Sequence, residues 1–196
     1  MPRLFIGNDP PLEAVFEDTG STWCSVITHP HSLMGGSMHN NVVMAAWKAS
    51  AELGMSALRF NFRGVGASGG AFDNGNGEMD DLASAIFFVA RPVIVIGYSF
   101  GAWVAARYLR RAQERHPAIL VSPPNTMFEF PDIQDLPVRV VTGGMDPFCD
   151  EGGLAGIAGS GRTTVVPHAD HFWSGSEDAL VAILRSQAGI LTGMGD

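Results

Sequence analysis

The chain has 196 residues, 46% of them hydrophobic, which is enough to bury a sizeable core and too apolar for a disordered chain. Its formal net charge of −8 offers no basic stripe to nucleic acid and sets the surface against anionic lipid, so the composition excludes both and favours a small-molecule partner. Two cysteines, Cys24 and Cys149, lie far apart and outside any CxxC spacing, which excludes a disulfide framework and a thiolate zinc site and fits buried thiols in a reducing compartment.

Near the N-terminus, Asn8 and Asp9 interrupt the sequence before an apolar region of signal-peptide length can build, and no apolar run approaches a membrane span; a cytoplasmic location is expected. Residues 4–17 read as an antiparallel hairpin at a sheet edge, turned at Asn8-Asp9-Pro10-Pro11. Short runs rich in β-branched residues then predict buried strands at 24–28, 57–62, 93–96, 118–121, 138–141 and 163–166. Helical periodicity lies between them. Residues 38–53 predict a helix closed by Gly54, and 78–90 another with Leu82, Ala85, Ile86 and Val89 on one face and Asp80 and Asp81 in its first turn. Residues 101–111 and 176–184 predict two more, the last with Ser176 as its cap. The alternation implies a single α/β domain over 1–196, a mostly parallel sheet with helices on both faces and a ligand crevice beyond the carboxyl ends of the strands. A homodimer is the one macromolecular assembly left open.

The pattern GxSxG occurs twice, at Gly97-Tyr98-Ser99-Phe100-Gly101 and at Gly66-Ala67-Ser68-Gly69-Gly70, so context has to choose. A nucleophile elbow needs a buried strand, a tight turn and a helix whose N-terminus faces the developing oxyanion. Ser99 follows Pro92-Val93-Ile94-Val95-Ile96 and precedes a helical stretch. Ser68 runs into Gly69-Gly70-Ala71-Phe72-Asp73-Asn74-Gly75, which cannot start a helix. Ser99 is therefore the candidate nucleophile.

A serine hydroxyl needs an imidazole to take its proton, and the imidazole needs a carboxylate to hold its tautomer; in elbow architectures the order is serine, acid, histidine. Asp146 follows the strand at 138–141 and is the leading acid, while Asp150, a turn later, reads as a solvated or helix-start residue. The strand at 163–166 leads into Pro167-His168-Ala169-Asp170-His171-Phe172-Trp173, where spacing leaves both His168 and His171 open as the base. Oxyanion donors are expected from the residue after the nucleophile, Phe100, and from the loop after the strand at 24–28. Pro30 has no N–H, so His31 is the donor chosen there. His29, His31 and His39 raise a metal as an alternative, but no carboxylate or thiolate stands at ligand spacing, and neither metal nor cofactor is expected.

Taken together, His29-Pro30-His31, Gly35-Gly36-Ser37-Met38-His39-Asn40, Arg59-Phe60-Asn61-Phe62-Arg63-Gly64-Val65-Gly66, Phe72-Asp73-Asn74-Gly75, the elbow and Ala169-Asp170-His171-Phe172 resemble the compact bacterial α/β-hydrolases related to dienelactone hydrolases, over nearly the whole chain. The resemblance implies a lidless α/β-hydrolase core with a serine, aspartate and histidine triad, and it selects His171 over His168. Arg63-Gly64 and Asp73-Asn74-Gly75 look like structural loops of that family.

Only about fifteen residues separate the strands at 118–121 and 138–141, too few for a cap domain. Met127-Phe128-Glu129-Phe130 and Trp173 are read as either walls of a shallow pocket or plain core, and short or loosely gripped acyl chains fit such a site best. The expected activity is hydrolysis of esters or thioesters; a catalytically silent binding protein and a peptidase-like amide hydrolase are the alternatives.

Overall fold

The computed structural model describes residues 3–194. Eight strands form one sheet: β1 (Leu4–Ile6), β2 (Leu12–Glu17), β3 (Cys24–Thr28), β4 (Ser56–Phe60), β5 (Val93–Tyr98), β6 (Ala118–Val121), β7 (Val138–Gly143) and β8 (Thr163–Val166), in the spatial order β1-β2-β4-β3-β5-β6-β7-β8. β1 and β2 are the expected edge hairpin, with Leu4 opposite Ala14, and β2 runs antiparallel to β4; all other pairs are parallel. Strand order reverses at β3, which lies between β4 and β5, and such a reversal is where open α/β sheets place their ligand sites, beyond the carboxyl ends of the strands.

Five α-helices cover the sheet: α1 (Asn41–Glu52), α2 (Asn76–Val89), α3 (Phe100–Arg111), α4 (Glu151–Ala158) and α5 (Glu177–Thr192). Alternation along the strands divides the core in two. Val26, Val93 and Val95 pack on the side of α2 and α3, and Ile27, Ile94 and Ile96 on the side of α1 and α5. Both faces of β5 are buried, which is why its sequence is a continuous apolar run.

Several boundaries differ from expectation for local reasons. The strand at 57–62 ends at Phe60, because Asn61 turns out of the ladder to bond Met38 N–H and Glu13. α1 starts at Asn41 instead of residue 38, since the Asn40 side chain caps Val42 N–H at 2.9 Å, and it closes at Gly54 with φ 68° as expected. α2 starts at Asn76, so its first-turn acid is Glu78, whose carboxylate accepts from Gly75 and Asp73 N–H. Asp81 is buried and bonded by the Arg63 guanidinium at 2.8 Å. Ser176 stands at the cap position of α5 without a capping hydrogen bond from its side chain, and that helix continues to Thr192 because Ala188 and Gly189 are buried. α4 was not expected; Asp150, the helix-start residue, caps it through Gly153 N–H at 2.6 Å. Between β6 and β7, residues 122–137 contain neither helix nor strand, and among the described residues no cap domain covers the sheet.

Candidate active site

Between β5 and α3 the chain turns on one residue, Ser99, at φ 53° and ψ −119°. A non-glycine residue held in such a sparsely populated region costs on the order of 1–3 kcal/mol, so its surroundings must impose it. Ser99 N–H bonds Val121 C=O at 3.0 Å, and its carbonyl accepts from Ala102 and Trp103 N–H. Both elbow glycines are steric requirements: a Cβ on Gly97 would stand 2.7 Å from Gly101 O, and one on Gly101 would stand 2.6 Å from His29 O.

From this turn Ser99 Oγ lies 3.0 Å from His171 Nε2. On the other side of the ring, His171 Nδ1 lies 2.8 Å from Asp146 Oδ2 and 3.0 Å from Oδ1. An ionised carboxylate only accepts, so Nδ1 carries the proton and the Nε2 lone pair faces the serine hydroxyl. Tyr98 O–H donates to the His171 carbonyl at 2.9 Å, and the Phe148 ring stands edge-on to the imidazole at 4.8 Å. His168 is exposed, and the geometry brings His171 rather than His168 to the elbow.

Asp146 is buried, which works against its charge. The hydrogen bond and charge of His171, the Phe148 N–H at 2.9 Å and the Ser122 hydroxyl outweigh that penalty and hold its carboxyl below the ordinary range. Two further groups stand beside this carboxylate, and of these Ser122 escaped the sequence reading. The Ser122 hydroxyl accepts from the Trp173 indole N–H at 3.0 Å and so turns its own proton elsewhere, and the Cys149 thiol donates toward Asp146 Oδ2 at 3.2 Å. Cys149 had a local signal, three residues after the acid. Ser122 had none, because only the β6 to β7 pairing brings it close. Trp173 is fully buried core and not a pocket wall.

At the elbow, Phe100 opens α3, where an N–H has no partner within the helix. The His31 ring packs 4.8 Å from both Phe100 and Phe72, which sets the loop after β3 beside the elbow. The loop is braced by His29, which is buried. Its Nε2 accepts from Phe62 N–H at 3.0 Å, so Nδ1 carries the proton donated to Pro30 O at 2.6 Å, and burial pushes its pKa down to about 4. His39 instead meets Arg59 Nη1 at 3.1 Å. The three histidines thus have separate partners. The ligand-capable cluster among the described residues is Asp146, Cys149 and His171, whose donor atoms lie within 4.8 Å of one another and already bond each other or Ser99.

Ser68, the rival serine, accepts from Glu13 N–H at 2.9 Å and donates to Asn61 O at 2.8 Å. It ties the loop after β4 to β2. Arg63 and the Asp73-Asn74-Gly75 turn are likewise committed to Asp81 and Glu78.

A buried, mostly parallel sheet, a strained serine between strand and helix, and an imidazole between that serine and a carboxylate define the fold and site of an α/β-hydrolase. Residues 26–144 match the Alpha/beta hydrolase family, and the chain belongs to it. It is similar to an α/β serine hydrolase homologue from Coxiella burnetii, with 29% identity, 94% of this chain and 96% of that one covered, and a TM-score of 0.84. It is also similar to XC6422 from Xanthomonas campestris, an α/β serine hydrolase without a lid, with 30% identity, 95% and 93% covered, and a TM-score of 0.85. Protein RP471 of Rickettsia prowazekii (strain Madrid E) is 40% identical over 113 residues, 54% of this chain and 48% of that protein, so the match spans about half of that relative's length. Among the described residues no helix is long and apolar enough to cross a membrane.

Proposed function

We propose that the protein is a serine hydrolase that cleaves ester or thioester bonds of small molecules through an acyl-enzyme on Ser99. The observation that carries this reading is the continuous hydrogen-bonded chain from Ser99 Oγ through both nitrogens of His171 to Asp146. Ser99 Oγ attacks the carbonyl carbon while His171 Nε2 takes its proton, and Asp146 holds the Nδ1–H and balances the imidazolium. The N–H groups of Phe100 and His31 receive the oxyanion. His171 returns the proton to the departing alkoxide or thiolate, then activates the water that releases the acid and regenerates Ser99. These steps are complete without a cofactor or metal.

Within the family, the motif pattern fits the compact lidless bacterial enzymes related to dienelactone hydrolases. Two unpaired cysteines fit the cytoplasm, and a net charge of −8 disfavours nucleic acid and anionic membranes as partners.

The reading is tested by fluorophosphonate labelling and 4-nitrophenyl acetate hydrolysis. Both are expected to vanish in Ser99→Ala and collapse in His171→Ala, while Ser68→Ala still labels. A folded wild-type protein that neither labels nor turns over would overturn the proposal.

A further inference from the structure

Single exposed apolar residues are ordinary on a protein surface, but their concentration in one place is not. Of the ten large hydrophobic residues exposed among those described, five stand on the segments that follow β3, β6, β7 and β8, with Leu33 and Met34 in a single 3-10 turn (Ser32–Met34): Leu33, Met34, Met127, Met145 and Phe172, between 60% and 84% exposed. Each is tied to the site by a neighbour. Leu33 and Met34 follow His31, whose ring packs on Phe100. Met127 precedes Phe128, which packs on Phe100 with ring centroids 6.1 Å apart, and the Phe172 ring lies edge-on to His171 at 5.5 Å. Met145 precedes Asp146, anchored by its N–H to Ala169 O at 3.0 Å.

Charge narrows what this rim can accept. The four segments that carry it, residues 29–40, 122–137, 143–150 and 167–176, contain no lysine or arginine, and beside Asp146 they hold Glu129, Asp132, Asp135, Asp150 and Asp170. Arg63, in the loop after β4, is committed to Asp81. An anionic group near the nucleophile would find no lysine or arginine on these segments to pair with, and of their carboxylates Asp135 is paired with Arg110 and Arg115 while Asp150 and Asp170 accept from backbone N–H groups. An apolar chain would meet three flexible thioethers, a leucine and an aromatic ring, a surface that adapts to chains of different shape.

We propose that this rim is the acyl-binding surface and that the substrates are neutral esters or thioesters with medium-length apolar acyl chains, laid in the open across Leu33, Met34, Met127 and Phe172. The proposal rests on the hydrolase reading of Ser99. It extends the expectation of loosely gripped chains and replaces the expectation of short ones, because an open apolar rim rewards each added methylene that it shields from water.

The test compares kcat/KM for 4-nitrophenyl acetate, butyrate and octanoate below their micelle-forming concentrations, together with the 4-nitrophenyl hemisuccinate as an anionic counterpart of butyrate. Wild type is expected to prefer octanoate over acetate by roughly thirtyfold and butyrate over hemisuccinate by at least about tenfold. The Leu33→Ser/Met34→Ser/Met127→Ser variant is expected to bring the octanoate to acetate ratio within about threefold of one. The three single serine variants, all at exposed positions, are expected to move it the same way by smaller steps. Acetate turnover that depends on Ser99, with an octanoate ratio near one in wild type or unchanged in the triple variant, would overturn the rim and leave the hydrolase reading standing. Absence of Ser99-dependent acetate turnover would overturn both.

Discussion

The Cys149 thiol lies 3.2 Å from Asp146 Oδ2, the carboxylate oxygen that His171 Nδ1 approaches at 2.8 Å. The same sulfur is 3.2 Å from Pro123 O, so one thiol proton faces two acceptors, and the anionic carboxylate is the stronger of them. Burial pushes the thiol pKa up, which keeps its proton in place to be donated. Cys149→Ala is therefore expected to lower kcat/KM for 4-nitrophenyl acetate by roughly three- to tenfold, the loss of one hydrogen bond to a charged group. Cys149→Ser, which keeps a donor, is expected to recover most of it. Steady-state kinetics of the two variants side by side check this.

Asp146→Asn tests the orienting carboxylate. An amide can present its own N–H to Nδ1, which then accepts, and the imidazole loses the tautomer that leaves Nε2 free for Ser99. The expected drop in kcat is about 10³–10⁴-fold, with the circular dichroism spectrum unchanged.

Trp173 and Ser122 make a prediction about stability. The indole N–H and the Ser122 hydroxyl are fully buried partners at 3.0 Å, so Trp173→Phe leaves the hydroxyl and Ser122→Ala leaves the indole without its partner. Each is expected to cost about 1–3 kcal/mol, read as a lower urea midpoint at constant m-value.

His29 predicts a pH dependence of stability. Burial lowers its pKa to about 4 in the folded chain, against about 6.5 unfolded. Between those values the unfolded chain binds the proton and the folded chain does not, so stability is full above about pH 6.5 and falls as pH drops toward 4, by on the order of 3 kcal/mol. Thermal melts across that range should show the loss. His29→Gln, whose side-chain oxygen can still accept from Phe62 N–H, should start lower and show a shallower slope.

Much of this was readable from neighbours along the chain. The strands at 24–28, 118–121 and 163–166 have the expected bounds, and Ser99 was separable from Ser68 because the strand before it and the helix after it are adjacent in sequence. Other features were hidden. Gly152, Gly153 and Gly156 make the α4 segment a poor helix former, and it folds because Asp150 caps it and Leu154 and Ala158 bury. Spacing left His168 and His171 equal, and only the family resemblance separated them before the structure did.

Backbone sterics and hydrophobic period act over a few residues, so the order of residues alone was enough for the sheet's alternation, the elbow and the candidate acid. Which groups surround that acid depends on sheet register. β6 pairs with β7 so that Val121 lies beside Val141, which carries Ser122 toward Asp146, and the loop after β8 returns His171 to both Ser99 and Asp146 and Trp173 to Ser122. Those contacts span from 25 to 72 residues of separation, and no local preference encodes them. They exist because long-range strand pairing and burial on both faces of the sheet bring the loop ends to one edge.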